Sequence, residues 1–284
     1  MGNFDILFLC HEKDIKDLKE NIKYARKNIV GYRKIFVLSK ENYFPDDKDI
    51  GFIDEKIFPF NKEVIGKYAP KRRAAWYYQQ FLKLYTLKVV GEEVLDNLLI
   101  ADADLRFIKK TAFFNKGVPL YNFEIGYHQP YYKIMEKVLG FGKQNLNISA
   151  TVHHMVYQRK YINNLLNFTI KKDGKEFWKD IMENISKDTI SGFSEQETYF
   201  NFMMKFYPNK IKVRRLRFID FPYNGSFWVK FFGFFGYSYI ASHHYLKENR
   251  FSVIKCLGVE FLKLIGLKIL IKRMIIRLKM AGVK

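Results

Sequence analysis

Val94 to Phe107 reads VLDNLLIADADLRF, and the fold is read outward from it. An apolar run, Leu98 to Ile100, ends in Asp102-Ala103-Asp104 before apolar residues resume at Leu105 and Phe107. A short, continuous apolar run predicts a strand buried on both faces. Residues i and i+2 of an extended chain point to the same side, so the carboxylates of Asp102 and Asp104 project together from the strand's carboxyl end. Carboxylates beside an apolar core are costly unless paired or bound to a cation. Hard divalent ions such as Mg²⁺ or Mn²⁺ take oxygen ligands and share them with a substrate phosphate. The same pair also suits the cap of a following turn, so the flanking sequence has to decide.

Upstream, Phe4 to Cys10 (FDILFLC) predicts a first buried strand. Ile15, Leu18, Ile22 and Ala25 recur at helical spacing up to Gly31, and Lys34 to Ser39 (KIFVLS) predicts a second strand. A strand-helix-strand opening favours a parallel sheet, whose ligands sit outside the carboxyl ends of its strands. Cys10, His11 and Ser39 fall at those ends and are candidate nucleotide contacts. Neither G-x-G-x-x-G nor G-x-x-x-x-G-K-[ST] occurs, which counts against dinucleotide and P-loop chemistry.

After a loop and short strand over 45–61, KYAPKRRAAWYYQQFLKLYTLKVVG predicts one helix opened by Pro70 and closed by Gly91. At 100° per residue Tyr77, Phe81 and Leu84 form a core stripe, while Arg72, Trp76, Gln79 and Lys83 form a polar one. That second stripe is either a solvated face or a surface on which Arg72, Arg73, Gln79, Gln80 and Lys83 meet a diphosphate and a sugar beside the aspartates.

Together, the strand-helix-strand opening, a basic helix carrying Q-Q-x-x-K-L and an apolar strand ending in D-A-D resemble the GT-A glycosyltransferases, and among them the bacterial enzymes that build capsule, lipopolysaccharide and other cell-surface polysaccharide. The resemblance runs over about residues 4–245 and is sharp only over 70–107. It implies an α/β fold, a Rossmann-like mixed sheet flanked by helices. It implies a nucleotide-sugar donor, with UDP the expected carrier, and Mn²⁺ or Mg²⁺ held by Asp104 with Asp102 on the ribose or the ion. It also implies a late third ligand, for which His243 is preferred over its neighbour His244.

Downstream, Leu120 to Gly126 predicts a strand, and Tyr127 to Pro130 reads as a tyrosine-rich loop or a pocket wall. The pair His153-His154 suits either core packing or hydrogen bonds to a donor's hydroxyls or phosphate, with His154 taken as the donor contact; no zinc spacing accompanies it. Helices are expected from about Tyr157 through Leu166 and over Phe177 to Ser186. In SGFSEQET, Ser194 and Glu197 fit an S-x-x-E capping box. Glu195 is left free in the first turn. It either answers the helix dipole or, as the resemblance implies for inverting enzymes, takes the acceptor hydroxyl's proton. If it is only a dipole partner, a retaining mechanism stays open.

The composition is that of a packed protein: 284 residues, 48% hydrophobic and 18% aromatic. The net charge of +20 calls for an anionic partner. Two cysteines form no disulfide framework, which suits a reducing compartment, and the amino-terminal residues lack a secretory pattern. Residues 250–284 hold nine Lys or Arg against one acid, Glu260, and FLKLIGLKILIKRMIIRLKM interleaves them with Leu and Ile at helical spacing. With no run of apolar residues long enough to span a bilayer, residues 246–284 are expected to lie as an amphipathic tail in an anionic membrane interface. The alternative is that one arc of the tail covers the aromatic stretch Phe227 to Phe235.

These readings converge on a glycosyltransferase domain over 1–245, peripheral on the cytoplasmic face of the cell membrane, with a glycan or glycolipid acceptor. A catalytically inactive glycan-binding scaffold and a nucleic-acid-binding protein are the alternatives. Nucleic acid is disfavoured because the tail lacks single-strand stacking platforms and no recognition motif occurs.

Overall fold

A computed structural model describes residues 3–70, 72–186, 188–248 and 251–264. The chain opens with β1 (Phe4–Leu9), α1 (Ile15–Asn28), β2 (Ile29–Val30), β3 (Tyr32–Ser39) and β4 (Ile50–Asp54), then passes through α2 (Lys62–Tyr68) and α3 (Ala74–Val89) into β5 (Asn97–Asp102) and β6 (Leu105–Phe107). Short strands β7 (Thr111–Ala112), β8 (Phe114–Asn115) and β9 (Val118–Asn122) lead to α4 (Gln129–Leu139), β10 (His154–Gln158), α5 (Arg159–Asp173), α6 (Phe177–Asn184) and α7 (Glu195–Phe206). After these come β11 (Lys212–Arg214), β12 (Phe218–Asp220), α8 (Ser226–Phe234), β13 (Tyr239–Ala241), the single turn α9 (His244–Lys247) and α10 (Ser252–Leu264).

The architecture is a mixed α/β sheet flanked by helices. Its main sheet runs β10-β5-β1-β3-β4, parallel except for β10, which pairs antiparallel with β5. The apolar runs of β1 and β5 are buried between helices, as continuous hydrophobic strands require. One charge sits inside them. Asp5 is fully buried, and its carboxylate accepts hydrogen bonds from Arg33, from the Lys34 backbone N–H and from the Leu95 backbone N–H. Those partners offset its desolvation.

The helix expected from Pro70 to Gly91 is α3, which starts later, at Ala74, and ends at Val89; α2, which precedes Pro70, is not among the expected elements. Asn61 caps α2 by accepting from Val64 N, and the chain breaks at Ala69-Pro70, where proline denies the preceding residue helical geometry. Arg72 takes a left-handed φ of 66° before α3 begins. Within α3 the expected core stripe of Tyr77, Phe81 and Leu84 is fully buried. The loop expected over Tyr127 to Pro130 is cut short, because α4 begins at Gln129 with Pro130 in its first turn.

A second, small sheet, β12-β13-β6, fixes the site. Because only two residues separate the end of β5 from the start of β6, the small sheet is tied to the carboxyl edge of the main one. Its own apolar cluster, Ile219, Phe221, Phe232, Tyr237 and Ile240, is covered by α8 and by Val253, Cys256 and Leu257 of α10. In the same helix Glu260 is buried and accepts a hydrogen bond from the Tyr237 hydroxyl at 2.6 Å. The first part of the expected tail therefore packs on the body; residues 265–284, with most of its amphipathic arcs, lie outside the described residues. Among the described residues no helix is long and apolar enough to cross a membrane.

Candidate active site

Three strand pairings bring distant residues to one point. Antiparallel pairing of β10 with β5 sets His154 opposite Ala101, so that the Asp102 N–H donates to the carbonyl of His153 at 3.1 Å. Pairing of β13 with β6 sets Ala241 opposite Leu105, and the next residue, Ser242, donates its N–H to the Asp104 carbonyl. Parallel pairing of β12 with β13 sets Asp220 beside Ala241. Asp102, Asp104, His153, Asp220 and His243 thus meet at the carboxyl end of β5, where ligands of open α/β sheets bind.

Their charges alternate in sign along a continuous chain. Lys83 pairs with Asp102 Oδ1 and lies 3.5 Å from Glu195 Oε1. His153 Nδ1 faces Asp102 Oδ2 across 3.6 Å, and its Nε2 stands 3.0 Å from Asp220 Oδ1. His243 Nε2 lies 3.6 Å from the same Asp220 oxygen, and its Nδ1 bonds to Asp104 Oδ2 at 2.8 Å.

Burial works against the charge on Lys83, but the carboxylates of Asp102 and Glu195 outweigh it and hold the ammonium above the usual lysine range. Asp102 is pulled below the usual carboxylate range by Lys83 and His153 despite its own burial. Burial pushes Glu195 up, with Lys83 pulling the other way. Against the cost of burial, the facing carboxylates raise His153 well above an ordinary imidazole and His243 to about 9. The carboxylates here outnumber the fixed cations, so with neutral imidazoles the cluster demands positive charge from elsewhere.

Every member of this chain except Asp220 lines a cleft of about 710 Å³, also lined by Arg73, Trp76, Gln79, Gln80 and Tyr131. The Arg73 guanidinium lies 5.3 Å over the Trp76 ring. Gln80 is buried and accepts from the Glu195 N–H at 3.2 Å, while its Nε2 donor has no hydrogen-bond partner. Asp104 Oδ1 is likewise buried and unpartnered. Orphaned buried polar atoms at a cleft are what a ligand would satisfy. Glu195 opens α7, whose cap forms as expected, Ser194 Oγ accepting from Glu197 N at 3.3 Å. The Glu197 carboxylate, however, goes to Ser149, to the Ala150 N–H and to Asn201 instead of back to the cap.

Of the residues singled out from sequence, Arg73, Gln79, Gln80, Lys83, Asp102, Asp104, Glu195 and His243 line the cleft. The others are corrected. Cys10 is buried, its thiol pushed up to about 12 by burial and Asp14, and it bonds to the His11 carbonyl. Ser39 is buried with its hydroxyl on the Glu41 carbonyl. His11 and Arg72 are exposed and do not line the cleft. His154 points into the core among Phe107, Phe113 and Tyr239, and burial lowers it to about 3. Its neighbour reaches the cleft instead because His153 takes a left-handed φ of 67°. The side chain of His244 lies outside the described residues.

Sequence reasoning missed Asp220 and Gln196. Asp220 had a signal: it is the lone acid between Glu197 and Glu248, in a stretch whose other charges are positive. Gln196 lines the cleft and accepts from the Val152 N–H at 3.2 Å.

No protein-family model matches the sequence, and no curated protein matches it. Among solved structures, the chain is similar to mouse xyloside xylosyltransferase 1 in its apo form, at 13% identity over 85% of this chain and 98% of that one, with a TM-score of 0.43. It is similar to the galactosyltransferase LgtC in complex with donor and acceptor sugar analogs, at 14% identity over 77% and 76% of the two chains, TM-score 0.43. An active-site mutant of LgtC aligns at 15% identity over 63% of this chain and 69% of that one, TM-score 0.37.

Proposed function

We propose that this chain transfers a sugar from a nucleotide-sugar donor, UDP-linked in our reading, to a glycan or lipid-linked acceptor of the bacterial cell surface. The observation that carries the reading is the alternating chain from Glu195 to Asp104 at one cleft, two of whose lining residues, Gln80 and Asp104, keep an unpartnered polar atom.

Asp104 and His243 are the residues that would hold a divalent cation: Asp104 steadies the imidazole through one oxygen and keeps the other free. Oxygen and imidazole donors together suit Mn²⁺. Such an ion supplies Lewis-acid neutralisation of a departing diphosphate. Around it, Arg73 is placed to meet a phosphate and Gln80 Nε2 to donate to a sugar or phosphate oxygen. Lys83, clamped by Asp102 and Glu195, keeps fixed positive charge under the leaving group, where preorganised charge lowers a barrier most. Glu195, raised by burial toward a useful basicity, takes the proton of the attacking hydroxyl. That role makes the transfer inverting.

A net charge of +20 and the exposed phenylalanines of α8 support a position on the inner face of the cell membrane.

Nucleotide sugars screened for Mn²⁺-dependent transfer or hydrolysis test the reading. Turnover of at least one donor, lost on chelation and in Asp104→Ala, is expected. A folded protein that turns over none of them with Mn²⁺ overturns the enzyme and leaves the glycan-binding scaffold.

A further inference from the structure

We infer that His153 and Asp220 are cation ligands in this chain and that Asp102 is not, an inference that rests on the reading of the cleft as a metal-assisted transfer site. The geometry is that of a preformed three-point site. One ligand atom each from His153, Asp220 and His243 lies within 4.8 Å of the other two. Asp220 Oδ1 is 3.0 Å from His153 Nε2 and 3.6 Å from His243 Nε2. Bonds of about 2.1 Å to a divalent ion set neighbouring ligand atoms roughly 3.0 to 3.4 Å apart, so little movement separates these positions from coordination.

Behind each imidazole stands one carboxylate of the D-A-D stretch. Asp104 Oδ2 bonds His243 Nδ1 at 2.8 Å, and Asp102 Oδ2 faces His153 Nδ1 at 3.6 Å. A carboxylate on the far nitrogen fixes the tautomer and ring orientation of a ligating histidine. Asp102 faces His153 in this way with one oxygen and is paired with Lys83 through the other, so both of its oxygens already have a partner of opposite charge. Asp104 differs in that its second oxygen, Oδ1, is buried and unpartnered.

The backbone has been bent to build this. His153 and His154 are adjacent, and in a regular strand their side chains would face opposite sides of the sheet. With φ at 67°, His153 directs its ring at Asp220 while His154 enters the core. Asp220 arrives from a different strand, β12, through its register with β13.

A set of two imidazoles and one carboxylate also selects among ions. Mg²⁺ prefers oxygen and is slow to give up water, whereas Mn²⁺ accepts imidazole nitrogen readily. The site is therefore a manganese site in preference to a magnesium one.

The test is Mn²⁺ binding to the full chain without donor, read by pulsed electron paramagnetic resonance and by titration. Two imidazole ¹⁴N couplings are expected in the unmodified protein, with Mn²⁺ bound at least tenfold tighter than Mg²⁺. Asp220→Asn and His153→Asn, the latter able to keep the left-handed backbone, should each weaken Mn²⁺ at least tenfold, with one ¹⁴N coupling left in His153→Asn. Asp102→Asn should keep both couplings. A single coupling in the unmodified protein, or undiminished Mn²⁺ affinity in both Asp220→Asn and His153→Asn, overturns the assignment; the first result needs no variant to fold. The two readings fail separately. Unchanged Mn²⁺ binding in those variants alongside active transfer removes the ligands and keeps the enzyme. Two-histidine coordination without turnover of any donor keeps the site and removes the transferase.

Discussion

Lys83, midway along α3, is ion-paired with Asp102, the last residue of β5, and the pair joins the helix to the strand end on which the site is built. The ammonium also faces Glu195 at 3.5 Å, so one cation separates two carboxylates that are otherwise driven together by the packing of α3, β5 and α7. Breaking a largely buried pair by removing one partner costs about 3–5 kcal/mol, because the remaining charge stays desolvated. Lys83→Met is expected to lower unfolding free energy by that order in denaturant titrations. Adding Glu195→Gln to it should recover on the order of 1 kcal/mol, since one of the stranded carboxylates is then neutral. Strict additivity of the two substitutions would show that Lys83 and Glu195 do not interact.

Glu195 itself is separable from the fold. Its side chain meets Lys83 and its own backbone N–H, and burial already disfavours its charge. Glu195→Gln should therefore melt within a few degrees of the unmodified protein while kcat for transfer falls by about 10²- to 10⁴-fold, the range of a lost general base. The configuration of the first-formed product, followed by NMR, gives an independent reading. Inversion is expected, and retention of the donor's anomeric configuration would remove Glu195 from the role of acceptor base.

How much of this was legible in the sequence depends on the range of the interaction involved. The buried strand ending in Asp102-Ala103-Asp104 and the core stripe of α3 were readable, because apolar periodicity is local and both elements obey it. The short helix α2, which ends just before Pro70, went unread, because seven residues are too few to show a helical period clearly. His153 and His154 could not be told apart, since the choice is made by a left-handed backbone that an adjacent pair of histidines does not announce. Asp220 reaches His153 only through strand register between segments 67 residues apart, which spacing within one segment cannot encode. Cys10 and Ser39 show the opposite error: both stand at or next to strand ends, as the rule for open sheets asks, yet their side chains are spent on nearby carbonyls.

A pH dependence of stability should come from Lys143. Burial draws its ammonium down to about 8, against the opposing pull of Glu197 on α7 and of Glu124. Its Nζ donates to the Gly126 carbonyl and to the hydroxyl of Tyr132 on α4, and it lies over the rings of Tyr127 and Tyr132. A folded-state value below the unfolded one means that, between about pH 8 and the ordinary lysine value of 10.5, the unfolded chain holds a proton that the folded chain has released. Stability contributed at this position then rises with pH through that window and is lowest below it. The difference in melting temperature between the unmodified protein and Lys143→Met, measured from pH 7.5 to 10.5, should shift in favour of the unmodified protein as pH increases. A difference that stays flat would show that Lys143 is not desolvated in solution.

The membrane reading turns on α8. Phe232 anchors this helix in the small core beside Phe221 and Tyr237, and that contact forces its other face outward: Phe227 is 68% and Phe234 86% exposed. Exposed aromatics next to basic residues are costly in water and favourable at a lipid headgroup boundary. Seating each ring there gains on the order of 1 kcal/mol, less than full burial would give, so Phe227→Ser with Phe234→Ser should weaken binding to anionic vesicles by about tenfold or more. Neither ring supports the core, and the melting temperature should hardly move, as expected for substitutions away from buried features. Raised salt should release the unmodified protein as well, because basic residues add about 1 kcal/mol each near an anionic surface and are screened within a Debye length. Equal binding of the double variant and the unmodified protein at physiological salt would take α8 out of the interface and leave basic residues alone to account for any attachment.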